Sequence, residues 1–176
     1  MIFIDKIATP LGSMFVGATD QGICLLEFTD RPTLERELKD LEKHLKTTIH
    51  TGQTQLTRQA KKEIEAYFQG TQKTFNVPIH APGTLFQQAV WKALLSVPYG
   101  QTASYQQQAQ KLGKPQAVRA VATANGANRI SIMIPCHRII GKDGSLTGYG
   151  GGLERKRYLL EHEQRYAHSP KTNLLI

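Results

Sequence analysis

Ser104-Tyr105-Gln106-Gln107-Gln108-Ala109-Gln110-Lys111-Leu112-Gly113-Lys114-Pro115-Gln116-Ala117-Val118-Arg119-Ala120-Val121-Ala122-Thr123-Ala124-Asn125-Gly126 is the stretch whose pattern decides the fold. Serine caps helices well, so Ser104 predicts a short helix over Tyr105–Leu112, closed by Gly113. Pro115 occupies the first-turn position that proline favours, and predicts a second helix running to Asn125-Gly126. Two helices joined by a short glycine-containing turn form a helix-turn-helix pattern. The second helix is dense in small residues: Ala117, Ala120, Ala122 and Ala124, with Arg119 as its one charge. A helix so thinly clad can approach its neighbour very closely, whether that neighbour is a duplex or the protein's own core.

Working upstream, Thr84 predicts the cap of a helix carrying Phe86, Val90, Trp91, Leu94 and Leu95, ended by Val97-Pro98-Tyr99-Gly100. The first eighty residues read differently. Ile2–Ala8, Met14–Ala18 and Ile23–Phe28 are apolar runs separated by turn residues, which predicts an antiparallel meander. Leu34, Leu38, Leu41 and Leu45 recur at helical spacing and predict an amphipathic helix over 33–46. A second helix is expected over 56–68, with Ile64, Tyr67 and Phe68 on one side, and a last strand over Phe75–Ile79. His80-Ala81-Pro82-Gly83 marks the boundary, dividing the chain into domains 1–82 and 83–176. The fold class is therefore α/β followed by a mainly α domain.

Charge separates the same two parts. Residues 1–82 hold ten basic and ten acidic side chains; residues 83–176 hold twelve and four, which accounts for the whole net charge of +8. A one-sided basic balance points to a polyanion or to a solubility charge. No apolar run approaches the ~18 residues of a membrane span. The N-terminus lacks both a basic start and a long apolar stretch, so no secretory signal is expected. Two cysteines, Cys24 and Cys136, exclude a disulfide scaffold and a four-cysteine zinc site and suit a reducing cytoplasm.

Downstream, the apolar run Ile130–Ile134 predicts a buried strand ending in Pro135-Cys136-His137-Arg138. Thiolate is the nucleophilic form of cysteine, and His137 and Arg138 supply a base and a positive charge beside it. Neighbours on a regular strand point to opposite faces, so either the chain turns at Pro135 or a water bridges Cys136 to His137. A base needs an orienting group, and Glu163 is one of four acids in this half. The alternative is a buried structural thiol. Gly148-Tyr149-Gly150-Gly151-Gly152 allows close backbone approach to a flat ligand, or is a flexible loop. Arg155-Lys156-Arg157 reads as a solvated face, and Cys24, inside an apolar run, as a core thiol.

Taken together, these residues resemble the O6-alkylguanine-DNA alkyltransferases, also called methylated-DNA–protein-cysteine methyltransferases. Pro135-Cys136-His137-Arg138 matches the family's active-site signature. Phe86 to Trp91, Tyr99-Gly100, Ser104-Tyr105-Gln106, Arg119-Ala120-Val121, Asn125-Gly126, Asn128, Gly148-Tyr149, Gly151-Gly152 and Leu159 to Glu163 follow in family order and spacing. The resemblance covers 84–163 closely and 1–82 loosely. It implies a ribonuclease-H-like first domain with an antiparallel sheet and a winged helix-turn-helix-like second domain. It implies that Cys136 accepts an alkyl group irreversibly from O6-alkylguanine in DNA, with O4-alkylthymine a further candidate. His137 and a water would deprotonate Cys136, Glu163 would hold His137, Asn128 would brace the turn and Tyr105 would serve the departing guanine. DNA contacts would come from Arg119, Tyr105, Gln106, Lys114, Ala120 and Arg138; Pro135, Tyr149, Gly150 and Gly151 would line the alkyl pocket.

The implied partner is double-stranded DNA, bound in the minor groove without sequence choice by a monomer, with no cofactor and no membrane. Some family members carry zinc in the first domain, but Cys24, His44, His50 and His80 show no recognisable spacing, so no metal is expected. Two positions depart from the family pattern. Arg129 follows Asn128 where proline is usual, which predicts a looser turn and a charge near the site. Ala122 stands where glycine is frequent. A non-repairing DNA sensor would lack Cys136, a transcription regulator would read bases with longer side chains than alanine, and a Cys-His hydrolase would need an oxyanion site. A place within a larger adaptive-response regulator is compatible with the sequence.

Overall fold

The computed structural model describes residues 1–168; the last eight residues of the expected second domain lie outside the described part. β1 (Ile2–Thr9), β2 (Gly12–Ala18) and β3 (Ile23–Phe28) form the expected meander. α1 (Leu34–Leu45) follows, then β4 (Ile49–Thr51) and α2 (Gln55–Phe68). The sheet order is β3-β2-β1-β4. The sheet is mixed rather than purely antiparallel, because the short β4 pairs parallel with β1 after the α1 crossover. Three residues are too few to show a strand period, which is why β4 escapes the sequence pattern.

All six residues of β3 are buried, since helices cover both faces of the sheet. Cys24 and Leu25 belong to the face under α1, where Leu41 packs with Ile2; Ile23, Leu26 and Phe28 join Ala60, Ile64 and Tyr67 of α2. Cys24 is fully buried, and burial pushes its thiol up to about 12, as befits a core residue. Phe75–Ile79 does not form a strand. Glu63 takes the Asn76 and Val77 N–H groups, Pro78 has none to give, and Ile79 alone bridges to Ile23.

The second half is helical. α3 (Leu85–Leu94) starts at a Thr84–Gln87 capping box. A two-residue strand β5 (Ala103–Ser104) leads into α4 (Tyr105–Lys111), where Ser104 and Gln107 form another capping box. α5 (Val118–Gly126) begins three residues later than Pro115 suggests. Lys114–Ala117 is instead a turn, closed by the Ala117 N–H on the Lys114 carbonyl at 2.9 Å, and proline suits the second position of such a turn equally well. Gln108 and Asn125 exchange amide hydrogen bonds of 2.8 Å, and Trp91 donates to the Ala124 carbonyl at 2.8 Å, so α3, α4 and α5 are locked together. β6 (Ile139–Ile140) pairs parallel with β5, and α6 (Leu153–Ala167) closes the described chain.

One apolar core runs through both parts, from Ile7 and Phe28 to Val121, Ile134 and Leu159. The exposed edge of β3 is closed by the second half, where the Leu26 N–H bonds the Arg129 carbonyl at 2.9 Å and the Ser131 N–H returns to Leu26 at 2.8 Å. The first domain thus holds the backbone that precedes Cys136.

Candidate active site

Ile130–Ile134 is not a strand beyond the single bridge of Ile130 to Leu26. Asn128 explains why. Its Oδ1 accepts from the Ile130 N–H at 2.9 Å and its Nδ2 donates to the Ile134 carbonyl at 2.9 Å, consuming groups a sheet ladder would need. The segment folds into tight turns, with Ile132 at a φ of +73°, a region that β-branched residues avoid. Such strain survives where surrounding contacts overdetermine it. Pro135 then leads into a 3₁₀ turn over Cys136–Arg138, so the chain does turn at the proline.

That turn sends three consecutive side chains to different tasks. Cys136 faces a cavity of 190 Å³ lined by Tyr105, Ala122, Asn125, Gly126, Gly148, Tyr149 and Gly150. His137, fully buried, turns its Nε2 to Glu163 Oε2 at 2.7 Å. Arg138 is buried as well, with Nε 2.8 Å from Glu163 Oε1, Nη1 on the Val97 carbonyl and the guanidinium over Tyr99. Glu163, Val97 and Tyr99 hold it inside rather than at the surface, where the expected contact with DNA would need it. Pro135 is buried behind Cys136 and Gly151 sits against Phe28, so neither lines the cavity. Ala122, Asn125, Gly126 and Gly148 line it instead.

Glu163 is the hub. Besides His137 and Arg138, it accepts the Tyr67 hydroxyl at 2.7 Å, so the first domain contributes directly. Burial alone would raise its pKa, but His137 and Arg138 more than offset that and hold it far below the usual carboxylate range. An ionised carboxylate only accepts, so His137 Nε2 carries the proton and Nδ1 keeps its lone pair. Burial lowers the His137 pKa, which keeps the imidazole neutral, and among the described residues the buried Nδ1 has no hydrogen-bond partner. Burial also raises the Cys136 pKa, only partly countered by the Asn128 Nδ2 donor 3.3 Å from Sγ. The resting group is therefore a thiol next to a neutral base, not a preformed thiolate.

The remaining expected residues divide by exposure. Tyr105 sits at the cavity mouth and donates to the Thr147 carbonyl at 2.9 Å. Arg119, Ala120 and Lys114 are exposed, Lys114 lying over the Phe86 ring; Gln106 bonds the Pro115 carbonyl at the helix turn. Arg129 does not charge the site. Its guanidinium bonds the Pro82 carbonyl at 2.8 Å, beside Cys24 and the interdomain linker.

Lys156, expected on a solvated face, is fully buried. Its Nζ donates to the Thr147 carbonyl at 2.8 Å, and burial lowers its pKa to about 8. The signal was present: Lys156, Leu159 and Glu163 recur at three- and four-residue steps, hence on one helix face. Arg31 and Glu27 were also missed, although Glu27 stands out as an acid inside the apolar run Ile23–Phe28. A larger cleft lined by Met1, Phe3, Gln55 and His80 lies in the first domain and includes none of these groups. Among the described residues no group of three His, Cys, Asp or Glu could hold a metal, and no helix is long and apolar enough to cross a membrane.

A cysteine facing a cavity lined by α4 and α5, on the same turn as a buried His–Glu pair, defines a cysteine-nucleophile type of site. Comparison with known proteins sharpens this. Residues 2–81 match the ribonuclease-like domain and residues 85–165 the DNA binding domain of 6-O-methylguanine DNA methyltransferase. A methylated-DNA–protein-cysteine methyltransferase of Methanosarcina barkeri is 39% identical over 163 residues, 93% of this chain and 98% of that relative. The constitutive enzyme of that name from Bacillus subtilis is 40% identical over 165 residues, 93% of this chain and 96% of its own. The crystal structure of Mycobacterium tuberculosis O6-methylguanine methyltransferase superposes with a TM-score of 0.80 at 39% identity, covering 97% of this chain and 96% of its own. The M. tuberculosis protein in complex with DNA gives 0.79, covering 93% and 94%. The chain belongs to the 6-O-methylguanine DNA methyltransferase family.

Proposed function

We propose that the protein repairs O6-alkylguanine in DNA by moving the alkyl group to Cys136, once per molecule. The observation that carries this is the relay Glu163–His137 set beside a thiol that faces a small cavity. His137 Nδ1 takes the Cys136 proton through a bridging water, and Glu163 stabilises the imidazolium that forms. The sulfur attacks the alkyl carbon, an S–C bond forms and the C–O6 bond breaks. Guanine is a poor leaving group as an anion, so Tyr105 shifts its hydroxyl from the Thr147 carbonyl to the departing base. The product is a thioether.

A base in a duplex cannot reach a sulfur at the bottom of a cavity, so the damaged nucleotide leaves the stack. Arg119, exposed on α5, fills the gap it leaves, while Lys114, Gln106 and the bare Ala120 face meet the minor groove. Phosphate contacts from the basic half make binding independent of sequence. The protein acts as a monomer in the cytoplasm, with domains 1–82 and 83–176 joined at Pro82-Gly83. Intact-protein mass after incubation with a duplex holding one O6-methylguanine tests this. One methyl per chain, absent in Cys136→Ser, is expected; tight binding with no mass change would make the protein a sensor instead.

A further inference from the structure

The residues preceding α1 bring one cation of the first domain to the wall of the cavity. Arg31 leaves the end of β3 with its side chain 9% exposed. Its Nη2 donates to the Gly126 carbonyl at 2.7 Å and its Nη1 to the Asn128 carbonyl at 3.1 Å. The same Nη1 pairs with Glu27 and lies 3.2 Å from Glu37 Oε1. Glu27 accepts in turn from Ser131 Oγ at 3.4 Å. On the opposite side, a Cβ added at Gly150 would fall inside the Arg31 guanidinium.

These partners are not scattered. Gly126 and Gly150 both line the cavity over Cys136, one from α5 and one from the loop before α6. Asn128 is the side chain that donates to Sγ. A planar fork with donors on two nitrogens can hold two carbonyls in fixed directions while its flat face packs against a glycine; a lysine ammonium has no such face.

We propose that Arg31 is a positioning residue that sets Asn128 against Cys136 and fixes the spacing of the two cavity walls, so that the first domain governs the reactivity of the second. The proposal rests on the alkyl-transfer reading of Cys136. It gives the close approach at Gly150 a role: a side chain there would press on the guanidinium.

The test measures single-turnover methyl transfer across duplex concentrations for Arg31→Ala, Arg31→Lys, Gly150→Ala and the double variant Arg31→Ala/Gly150→Ala. Arg31→Ala should lower the saturating rate roughly tenfold or more, from two lost charge-assisted hydrogen bonds, with the half-saturating duplex concentration unchanged. Arg31→Lys keeps the charge for Glu27 and Glu37 and should fold, yet should not restore the rate. Gly150→Ala should slow transfer alone and add nothing in the Arg31→Ala background, because the added methyl group acts through the guanidinium it meets. A second arm needs no DNA. Iodoacetamide labelling of Cys136 against pH should shift upward in Arg31→Lys, because the Asn128 donor that favours thiolate has moved; the lysine keeps a positive charge beside Glu27 and near Cys136, and His137, Tyr105, Tyr149 and Lys156 are unaltered. A wild type that takes no methyl would overturn the alkyl-transfer reading, while the labelling arm still decides the role of Arg31. A folded Arg31→Lys with wild-type rate and labelling profile, or a Gly150→Ala penalty equal in both backgrounds, would overturn the proposal.

Discussion

Among the described residues two buried charge clusters stand out, and they obey opposite arithmetic. Around Glu163, one carboxylate receives Tyr67, His137 and Arg138. Around Arg31, two carboxylates, Glu27 and Glu37, share one guanidinium. Burial is alike in both: Glu163 is 1% exposed, Glu27 0% and Glu37 6%. The outcomes differ because donors outnumber acids in the first and acids outnumber cations in the second. Glu163 stays ionised and fixes the His137 tautomer. Burial, followed by repulsion from Glu27, pushes Glu37 up to about 8, so it carries a proton at neutral pH. Depth alone does not decide the state of an acid; the count of its partners does.

The largest expected effect comes from breaking the first cluster. Glu163→Gln leaves Arg138 buried without a counter-charge and lets the His137 tautomer change. Unfolding in urea should show a loss of about 3–5 kcal/mol, and transfer should slow by about 100-fold or more as the base loses its orienter. A variant with wild-type stability would mean that Arg138 finds another anion and that the hub is not a hub. In acid the wild type should follow the same logic. The Glu163 contribution is complete above its unfolded value of 4.5 and is lost as pH falls through its lower folded value.

A smaller effect is expected at Lys156, the one cation of the site that has carbonyls in place of an acid. Lys156→Met removes the donor to the Thr147 and Gly148 carbonyls. Transfer should fall by roughly tenfold, the cost of a charge-assisted bond at the cavity rim. Stability should hold, since an apolar group of similar size replaces a buried charge. An unchanged rate would show that Tyr105, also on Thr147, suffices to hold the rim.

An effect of the opposite sign belongs to the second cluster. Folded Glu37 prefers its proton, so stability should decline as pH rises from 4.5 to about 8. Glu37→Gln should flatten that slope and be more stable than wild type at pH 8, read from urea midpoints across the range. A slope that persists in the variant would move the titration to another group.

The comparison also shows what a sequence exposes and what it hides. The caps at Thr84 and Ser104, the meander and the Cys-His pair were legible because each is a local pattern. The resemblance named Glu163 and Asn128, and the geometry brings both onto the Cys136–Arg138 turn. Ile130–Ile134 misled because a β-branched run predicts a strand, whereas the Asn128 side chain takes its backbone groups. Arg138, which the resemblance assigns to DNA, pairs inside the protein with Glu163, 25 residues on, and no local pattern shows that pairing. Arg31 was invisible for a similar reason: its partners, Gly126 and Asn128, lie about 95 residues away in the chain. Long-range pairing of buried charge leaves no period in a sequence.

The most direct test of the relay is the ionisation of Cys136 in the free protein, followed by thiolate absorbance in a Cys24→Ser background. A thiol activated on demand by neutral His137 predicts no thiolate at neutral pH and a titration above the ordinary 9.0. A thiolate already present at pH 7 would contradict it, and would replace general-base activation with a standing ion pair.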